Sequence, residues 1–309
     1  MANSYNVTSL PNYVEQNRPD LIAKSVIGAR SASLFNLQTG VKGPTALNLI
    51  SSDVVFGDGA SCGWNEAGST TLSQAVLTPK ALKVNMSICD KTLLNKWANY
   101  LVKVQAGKVA GDLPFEQYFI DSVIENVKAG VEKMIYQGDS AKAEAVEFDG
   151  LLKILQASGN KTIATSAANT VSAYEFVKQV AEAMPASVMG KEDLVILVPM
   201  PVYFSFIQDL VTANLYHYNP ENGGNEYMLP GTNIRVIGVN GLNDTADYDY
   251  AIAGSLSNMF YGTDLENGEE LFDIWYSKDN REFRLAIEFT AGVQVAFQDE
   301  IVLGKRSKN

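Results

Sequence analysis

The residue types that most often carry enzyme chemistry are scarce in this chain of 309 residues. The only histidine, His217, lies in NLYHYN, and the only cysteines are Cys62 and Cys89. A structural zinc site normally uses four such ligands with paired spacing, which these three residues lack. A Ser/His/Asp or Cys/His hydrolase would have to be built around His217, and no G-x-S-x-G turn accompanies it. We therefore interpret His217 as an exposed loop residue.

Two further patterns come close to ligand-binding motifs without matching them. FGDGASCG (56–63) has three glycines, but a dinucleotide fingerprint needs G-x-G-x-x-G at the start of a helix, and no helical period follows here. NDTADYDYA (243–251) gathers three aspartates without the central glycine of a calcium loop, which favours a solvated acidic turn. We therefore predict no catalytic residue, no metal site and no cofactor, and we expect that the chain is not an enzyme.

Composition indicates a folded chain with an acidic surface. Hydrophobic residues make up 46%, enough for one large domain or two lobes. The net charge of −11 disfavours a protein that coats DNA or RNA. The two ends are exceptions, since residues 1–50 carry four basic and two acidic side chains and the tail GKRSKN is basic. These ends are either solvated or in contact with an acidic neighbour.

Targeting and membrane signals are not evident in the sequence. The first residues lack a basic head and an apolar core, and the most apolar run, 194–207, is too short to cross a bilayer. We expect a soluble chain made in a cytoplasm, without a membrane partner. Cys62 and Cys89 are interpreted as reduced, with one bridge as the alternative. In a hairpin with its tip near residue 71, Cys62 would face about residue 80.

The first half of the chain predicts an arm, a long hairpin and a long helix. Segment 1–50, interrupted by three prolines, predicts an extended arm with at most one short helix near PDLIAKSVIGARSA. Segment 59–94 begins glycine-rich and ends in strand-like alternation, which predicts a two-stranded excursion. In PFEQYFIDSVIENVKAGVEKMIYQGD (114–139), apolar residues recur at steps of three and four, which predicts a helix of about 22 residues, roughly 33 Å long.

The second half predicts a mixed lobe followed by strands. Ser172 and Glu175 form a capping-box pattern, DLVILV (193–198) is typical of a buried strand, and Pro201 suits the first turn of a helix. Together with two later strands they predict an α/β lobe over about 151–255. The end is predicted as strand, KDNR turn, strand and strand. We expect these strands to return to the lobe of the long helix, with the α/β lobe inserted.

Several of these segments, in this order, resemble a tailed-bacteriophage major capsid protein with the Hong Kong 97-like fold. The loop GWNEAG with its return VLTPKALKVNMSICDKTLL resembles the extended loop of that family, and the 114–139 helix with its QGD ending resembles the spine helix. FDGLL follows, LVILVPMPVYFSFIQDL resembles the strand–helix unit of the axial domain, and DNREFRLAIEFTAGVQVAF resembles the closing peripheral strands.

The resemblance implies an α+β fold with five parts. They are an N-terminal arm (1–56), an extended β-hairpin loop (57–79), a peripheral domain with the spine helix (80–150), an α/β axial domain (151–255), and a return to the peripheral domain with a C-terminal tail (256–309). The implied function is assembly of an icosahedral virion shell around double-stranded DNA in a bacterial host cytoplasm. The chain would bind itself in hexamers and pentamers, together with a portal and decoration proteins.

Five residues are candidates for contacts between subunits. By resemblance the extended loop lies over an adjacent subunit, where Trp64 is the one large anchor and Glu66 could meet a basic group. Trp64 could equally be a local core residue at the base of the loop. Lys80 lies at that base, and Arg18 and Arg30 lie in the basic N-terminal segment.

The sequence departs from the family pattern at two points. Some members form Lys–Asn crosslinks through a lysine on the extended loop, but segment 57–78 contains no lysine, so we predict no crosslink. Other members carry a cleaved scaffolding segment before the loop. Since the loop begins by about residue 57, the sequence is either that of a mature form or that of a subunit with a separate scaffolding protein, and Met1 favours the separate protein.

Three other classes of protein remain as alternatives. An encapsulin, a bacterial cage around enzyme cargo, would share the fold. A soluble enzyme with an α/β core and a lid hairpin would need a catalytic constellation. A tail-tube or receptor-binding protein would be mostly β, which the long helix disfavours.

Overall fold

The computed structural model describes residues 9–54, 56, 68–106, 115–142, 147–157, 161–165, 171–215, 225–264 and 271–308. The α-helices are α1 (Ser9–Val26), α2 (Arg30–Leu34), α3 (Asp90–Gln105), α4 (Phe115–Gln137), α5 (Leu151–Ala157), α6 (Ala173–Glu182) and α7 (Met200–Thr212). The strands are β1 (Asn36–Gln38), β2 (Thr45–Val54), β3 (Gly68–Leu77), β4 (Lys80–Cys89), β5 (Lys161–Thr165), β6 (Leu194–Pro199), β7 (Glu226–Met228), β8 (Arg235–Val239), β9 (Tyr248–Ser255), β10 (Met259–Thr263), β11 (Leu271–Ser277), β12 (Glu282–Val295) and β13 (Val302–Ser307). Within these residues no helix is both long and apolar enough to span a bilayer.

One lobe is built on a five-stranded sheet around the long strand β12. β12 pairs with β4 along one side and with β11 and then β10 along the other, and β1 completes the sheet beside β10. The 23-residue helix α4 confirms the predicted long helix. Its apolar face is buried in the same core as the inner face of the sheet; the buried α4 residues are Ile120, Val123, Ile124, Val127, Val131, Ile135 and Tyr136.

The second lobe is a three-layer α/β unit. Its sheet has the strand order β5-β13-β9-β6-β8-β7. Because side chains alternate along a strand, Leu194, Ile196 and Val198 of β6 pack toward α6 and α7, whereas Val195 and Leu197 share the core of α4 and α5. β6 is buried at every position, as predicted. The sheet is therefore covered on both faces, and its inner face is continuous with the first lobe.

The local signals of this lobe are confirmed. The side chain of Ser172 accepts a hydrogen bond from the backbone N–H of Glu175, as an N-cap does. α7 begins with a proline in its first turn, where a missing N–H has no helical partner to lose.

The expectation that segment 1–50 has no long helix was wrong. α1 spans 18 residues and contains Pro11 and Pro19. Pro11 lies in the first turn, where proline is tolerated, whereas Pro19 removes an internal hydrogen bond. Packing compensates for that loss, since Leu10, Val14 and Leu21 are buried against α4 and β11. Residues 9–35 therefore belong largely to the main core.

The terminal strands also differ from expectation. β10, β11 and β12 return to the sheet of the α4 lobe, as predicted, but β13 does not. It lies in the α/β lobe, parallel to β5 and antiparallel to β9. Its apolar residues Val302 and Leu303 are buried in the two cores on either side of that sheet, which explains its position. α3 is a further element that the sequence pattern did not predict.

Candidate subunit-contact surfaces

The extended hairpin is a two-stranded ribbon formed by β2 and β3. Ten residue pairs join the strands, from Thr45 opposite Leu77 to Val54 opposite Gly68. Ten residues of strand span about 34 Å. The expected tip near residue 71 was wrong, because this register places the tip between Val54 and Gly68. The ribbon also begins at Thr45, inside the segment predicted as an arm.

The base of the ribbon is fixed to the peripheral lobe. Leu77 is fully buried in a small cluster with Val41 and Leu47. The side-chain amide of Gln294 on β12 donates to the carbonyl of Val76 at 2.7 Å. From 44 to 79 the sequence has three acidic residues and no lysine or arginine. The ribbon is thus an acidic element attached at one end.

The two candidate residues on the loop, Trp64 and Glu66, lie outside the described residues, and so do Cys62 and His217. Lys80 is the first residue of β4, opposite Ala291 of β12. Its ammonium donates to the backbone carbonyl of Glu147 at 3.2 Å, so Lys80 ties the ribbon base to the segment before α5.

Arg18 and Arg30 both bind acidic residues of their own chain. Arg18 lies 3.7 Å from Asp273 of β11, with both side chains about 40% exposed. Arg30 donates to Glu226 of β7 at 3.1 Å and to the carbonyl of Gly238 at 3.3 Å. Arg30 therefore connects the N-terminal segment to the α/β lobe.

A buried polar cluster next to Arg30 joins α2 to α4. Glu132 accepts from the N–H and the hydroxyl of Ser31, at 2.9 and 2.5 Å. Since the Ser31 hydroxyl donates to Glu132, the hydroxyl of Tyr136 donates to Ser31, at 2.6 Å. Burial raises the pKa of Glu132, against the hydrogen bonds from Ser31 and the charge of Arg30. Burial and the Glu132 charge raise the pKa of Tyr136 well above its usual value.

The end of α4 brings together two short motifs of the sequence, QGD and FDG. The N–H of Gly150 donates to the carbonyl of Gly138 at 2.9 Å. A Cβ on Gly138 would overlap the carbonyl of Phe148, and one on Gly150 would overlap the carbonyl of Tyr136. Both glycines are thus required by close backbone approach.

Lys153 adds ion pairs to this contact between the QGD and FDG segments. Its ammonium lies 2.6 Å from a carboxylate oxygen of Asp139 and 2.6 Å from one of Asp149. The hydrogen bond from Lys153 lowers the pKa of Asp139. Burial acts to raise the pKa of Asp149, but hydrogen bonds from Lys153 and Ser140 lower it overall. The same two bonds raise the pKa of Lys153.

The C-terminal tail binds the acidic turn of its own chain. The sequence left the tail either solvated or in contact with an acidic neighbour, and predicted a solvated turn. Arg306 lies 2.7 Å from Asp249, whose side chain is 15% exposed, and Lys308 donates to the carbonyl of Thr245 at 2.6 Å. Asp244 and Asp247 are exposed, as predicted for that turn. Across the described part of the chain, no three His, Cys, Asp or Glu side chains gather as metal ligands would.

Comparison with known proteins gives matches in structure only. No family model matches the chain, and no curated protein sequence matches it. Among solved structures, the satellite phage P4 procapsid that includes the size determination (Sid) protein matches with a TM-score of 0.58 and 11% identity, over 94% of this chain and 97% of that chain.

Two further structures match equally well. The capsid of an empty GTA particle has a TM-score of 0.58 and 10% identity, over 90% of this chain and 89% of that chain. The holo-SrpI encapsulin complex from Synechococcus elongatus has a TM-score of 0.58 and 10% identity, over 91% of this chain and 88% of that chain. At such low identity the likeness concerns the fold. This chain has the Hong Kong 97-like fold of tailed-phage capsid proteins.

Proposed function

We propose that this chain is a major capsid protein, which self-assembles into the icosahedral shell that encloses the double-stranded DNA genome of a tailed phage. The observation that carries the proposal is the nearly full-length match in fold to shell subunits. The charged clusters of the described residues are consistent with the proposal, since each of them links helices, strands or turns of the chain to one another. The role is structural rather than enzymatic.

In this proposal the ribbon is the main means of gripping a neighbour. A two-stranded ribbon alone is marginally stable in water, so it gains order by packing on another subunit. Identical copies joined by head-to-tail contacts close into rings, here hexamers and pentamers. Each subunit is then held by several neighbours at once, so modest contacts add up. The net charge of −11 keeps enclosed DNA from adhering to the wall.

The five contact candidates keep different roles. Trp64 and Glu66 would lie at the free end of the ribbon and touch the adjacent copy. Arg18, Arg30 and Lys80 already bind oxygen atoms of their own chain. Each of them would therefore have to bind an acidic group of a neighbour in addition to that partner. We expect Arg18 to bind a neighbour more easily than Arg30, because its ion pair is the more exposed of the two.

We retain the five-part division into arm (1–56), extended loop (57–79), peripheral domain (80–150), axial domain (151–255) and return (256–309) as a proposal, with adjusted limits. The ribbon should start at 45, and 302–307 should be counted with the axial domain, because β13 lies in its sheet. We also propose a separate scaffolding protein, a portal and decoration proteins as partners, assembly in the host cytoplasm, and a final location in the virion.

The second candidate function is an encapsulin-type nanocompartment shell. The match to the encapsulin complex is as close as the matches to phage capsids, which supports this alternative. The two functions differ in contents, because one shell encloses DNA and the other encloses protein cargo.

The test is electron microscopy of the purified, concentrated full chain, expressed with and without its genomic neighbours. We expect closed icosahedral shells or flat arrays of hexameric rings. Nuclease-protected DNA in particles from the native source would support the phage shell, whereas a copurified cargo protein would support the nanocompartment. A monomer under every condition would refute both.

A further inference from the structure

One buried carboxylate in the peripheral lobe has an oxygen atom without a hydrogen-bond partner among the described residues. Asp264 follows the last residue of β10 and is only 4% exposed. Its Oδ1 makes no hydrogen bond within the part of the chain that the structure describes. Buried polar atoms are almost always paired, and an uncompensated buried charge is costly. Asp264 can therefore accept a positively charged partner.

Asp264 lines a cavity that could admit such a partner. The cavity measures about 380 Å³ and is also lined by Lys83 of β4 and by Glu288 and Thr290 of β12. Lys83 and Glu288 already form an ion pair at 3.0 Å, so their charges offset each other. The remaining negative charge belongs to Asp264. A single water needs only about 10–15 Å³, so the space suits a long side chain better than a lone ion.

Among the arginines of the chain, one is a candidate for the side chain that enters this cavity. All six lie in described segments, and five of them lie within 4 Å of a carboxylate of their own chain: Arg18, Arg30, Arg235, Arg284 and Arg306. Arg281 forms no ion pair with any described residue. It is exposed in the turn between β11 and β12, where its φ of 51° holds it in the left-handed region. Its planar guanidinium suits two-point recognition of a carboxylate.

Arg281 cannot reach Asp264 of the same subunit. Arg281 directly precedes β12, whereas Thr263, the neighbour of Asp264, pairs with Ala291 near the other end of that strand. Ten residues of strand separate the two positions by about 33 Å. A contact between them must therefore join two copies. Such a contact can be reciprocal in a two-fold pair or head-to-tail in a ring, and the rings of the proposed function require the head-to-tail form.

We propose that Arg281 of one subunit enters the Asp264 cavity of a second subunit and pairs with its carboxylate there. The proposal rests on the proposed function, since the guest belongs to another copy of the chain. It adds to that function a specific contact between two residues. Arg281 lies in the turn before β12, and Asp264 lies in the cavity beside the other end of that strand.

The test compares Asp264→Asn, Arg281→Gln and the double variant with the full-length wild-type chain. Lys278→Gln is the matched control, because Lys278 is an exposed cation in the same turn. We measure the subunit concentration needed for shells by light scattering and electron microscopy, and the melting temperature of unassembled subunits. Each single variant should raise the required concentration about tenfold or more, and the double variant should be no worse than a single one. The control should assemble as wild type.

The unassembled subunit provides the readout that separates this contact from a merely structural role. Asp264→Asn should leave its melting temperature unchanged or raise it, because a buried unpaired charge is removed. A lower melting temperature with normal assembly, or additive effects of the two changes, would overturn the proposal. So would Ca²⁺ or Mg²⁺ raising the melting temperature of wild type but not of Asp264→Asn, since the cavity would then hold a metal ion. A wild-type chain that never forms shells would overturn the proposed function and this contact with it.

Discussion

Glu132 joins α2 to α4 through one buried carboxylate. Its two oxygens accept the hydrogen bonds of Ser31, and the side chain lies on α4 beside Arg30, which reaches the α/β lobe. The raised pKa of Glu132 comes first from burial, which disfavours its charged form. A carboxyl with a raised pKa in the fold contributes stability below its unfolded pKa and loses that contribution as pH rises through the folded pKa.

We therefore expect Glu132→Gln to be at least as stable as wild type at pH 7, with its advantage lost as the pH falls from the raised folded pKa of Glu132 to 4.5. Glu132→Ala should be less stable by about 1–3 kcal/mol, because both donors of Ser31 lose their acceptor. Thermal unfolding of the unassembled subunit from pH 4 to 8 measures both changes. Equal losses in the two variants would contradict this account.

The ion pairs of Lys153 give the stability of the subunit the opposite dependence on pH. Asp139 and Asp149 have lowered pKa values, so their contribution to stability is present above their unfolded pKa and is lost as pH falls through the folded values. Lys153→Met should lower the melting temperature at pH 7, and the gap from wild type should close in acid below 3.8. Lys178→Met is the control, since its ion pairs on α6 are longer, 3.8 and 3.9 Å. A gap that persists unchanged in acid would argue against the charge account.

α4 joins the two lobes through contacts near its C-terminal end. Near its end the side-chain amide of Gln137 donates to the carbonyls of Gly241 and Asn243, at 2.7 Å each. Gly241 lies in a one-turn 3₁₀ helix, Asn240–Leu242, and a Cβ there would overlap the carbonyl of Glu132 and the ring of Tyr136. The close approach of helix and turn therefore depends on glycine.

Gly241→Ala should destabilise the subunit by about 1–3 kcal/mol, because helix and turn would have to separate. Gly190→Ala in the same lobe should have little effect, since nothing lies within 4 Å of its added Cβ. Chemical unfolding of both variants measures the difference. Similar midpoints for the two would show that the turn can shift at little cost.

α1 is the element whose role the sequence analysis misjudged. If residues 1–30 formed only an extended arm, a deletion of them would leave a folded monomer that cannot form shells. It would instead remove Leu10, Val14, Leu21 and Val26 from the main core. Leu21→Ala should cost about 2–5 kcal/mol of unfolding free energy, whereas Leu215→Ala, at a position 37% exposed, should cost much less. Denaturant titration separates the two, and a Leu21→Ala chain as stable as wild type would restore the arm interpretation.

At the scale of the whole molecule, the ribbon is the part that the chain can lose without losing its core. A deletion of 60–76 would shorten the ribbon, but it would also remove most of β3 and leave β2 without its paired strand. A cleaner variant replaces Ser52–Thr70 by Asn-Gly, a two-residue hairpin turn between the paired residues Ser51 and Thr71. We expect an unchanged melting temperature and no shells by electron microscopy. Full-size particles from this variant would refute the role of the ribbon.

Local sequence patterns were sufficient to predict four elements of this chain. The apolar period of α4, the cap at Ser172, the first-turn proline of α7 and the continuous apolar strand β6 depend on neighbours within one or two turns. The order of these elements also carried the resemblance that predicted the fold class. The glycines of QGD and FDG were visible as patterns, but their reason, a backbone contact between Gly138 and Gly150, was not.

Features that depend on partners distant in the chain could not be read from local patterns. α1 persists through Pro19 because its apolar side chains are buried against α4 and β11. The tip of the ribbon follows from the strand register, and the placement of β13 follows from burial on both faces of the α/β sheet. The pairing of the tail with Asp249 and the burial of Asp264 likewise depend on contacts between segments distant in the chain. Local patterns specify how a segment folds, but its partners are selected by burial and charge across the whole molecule.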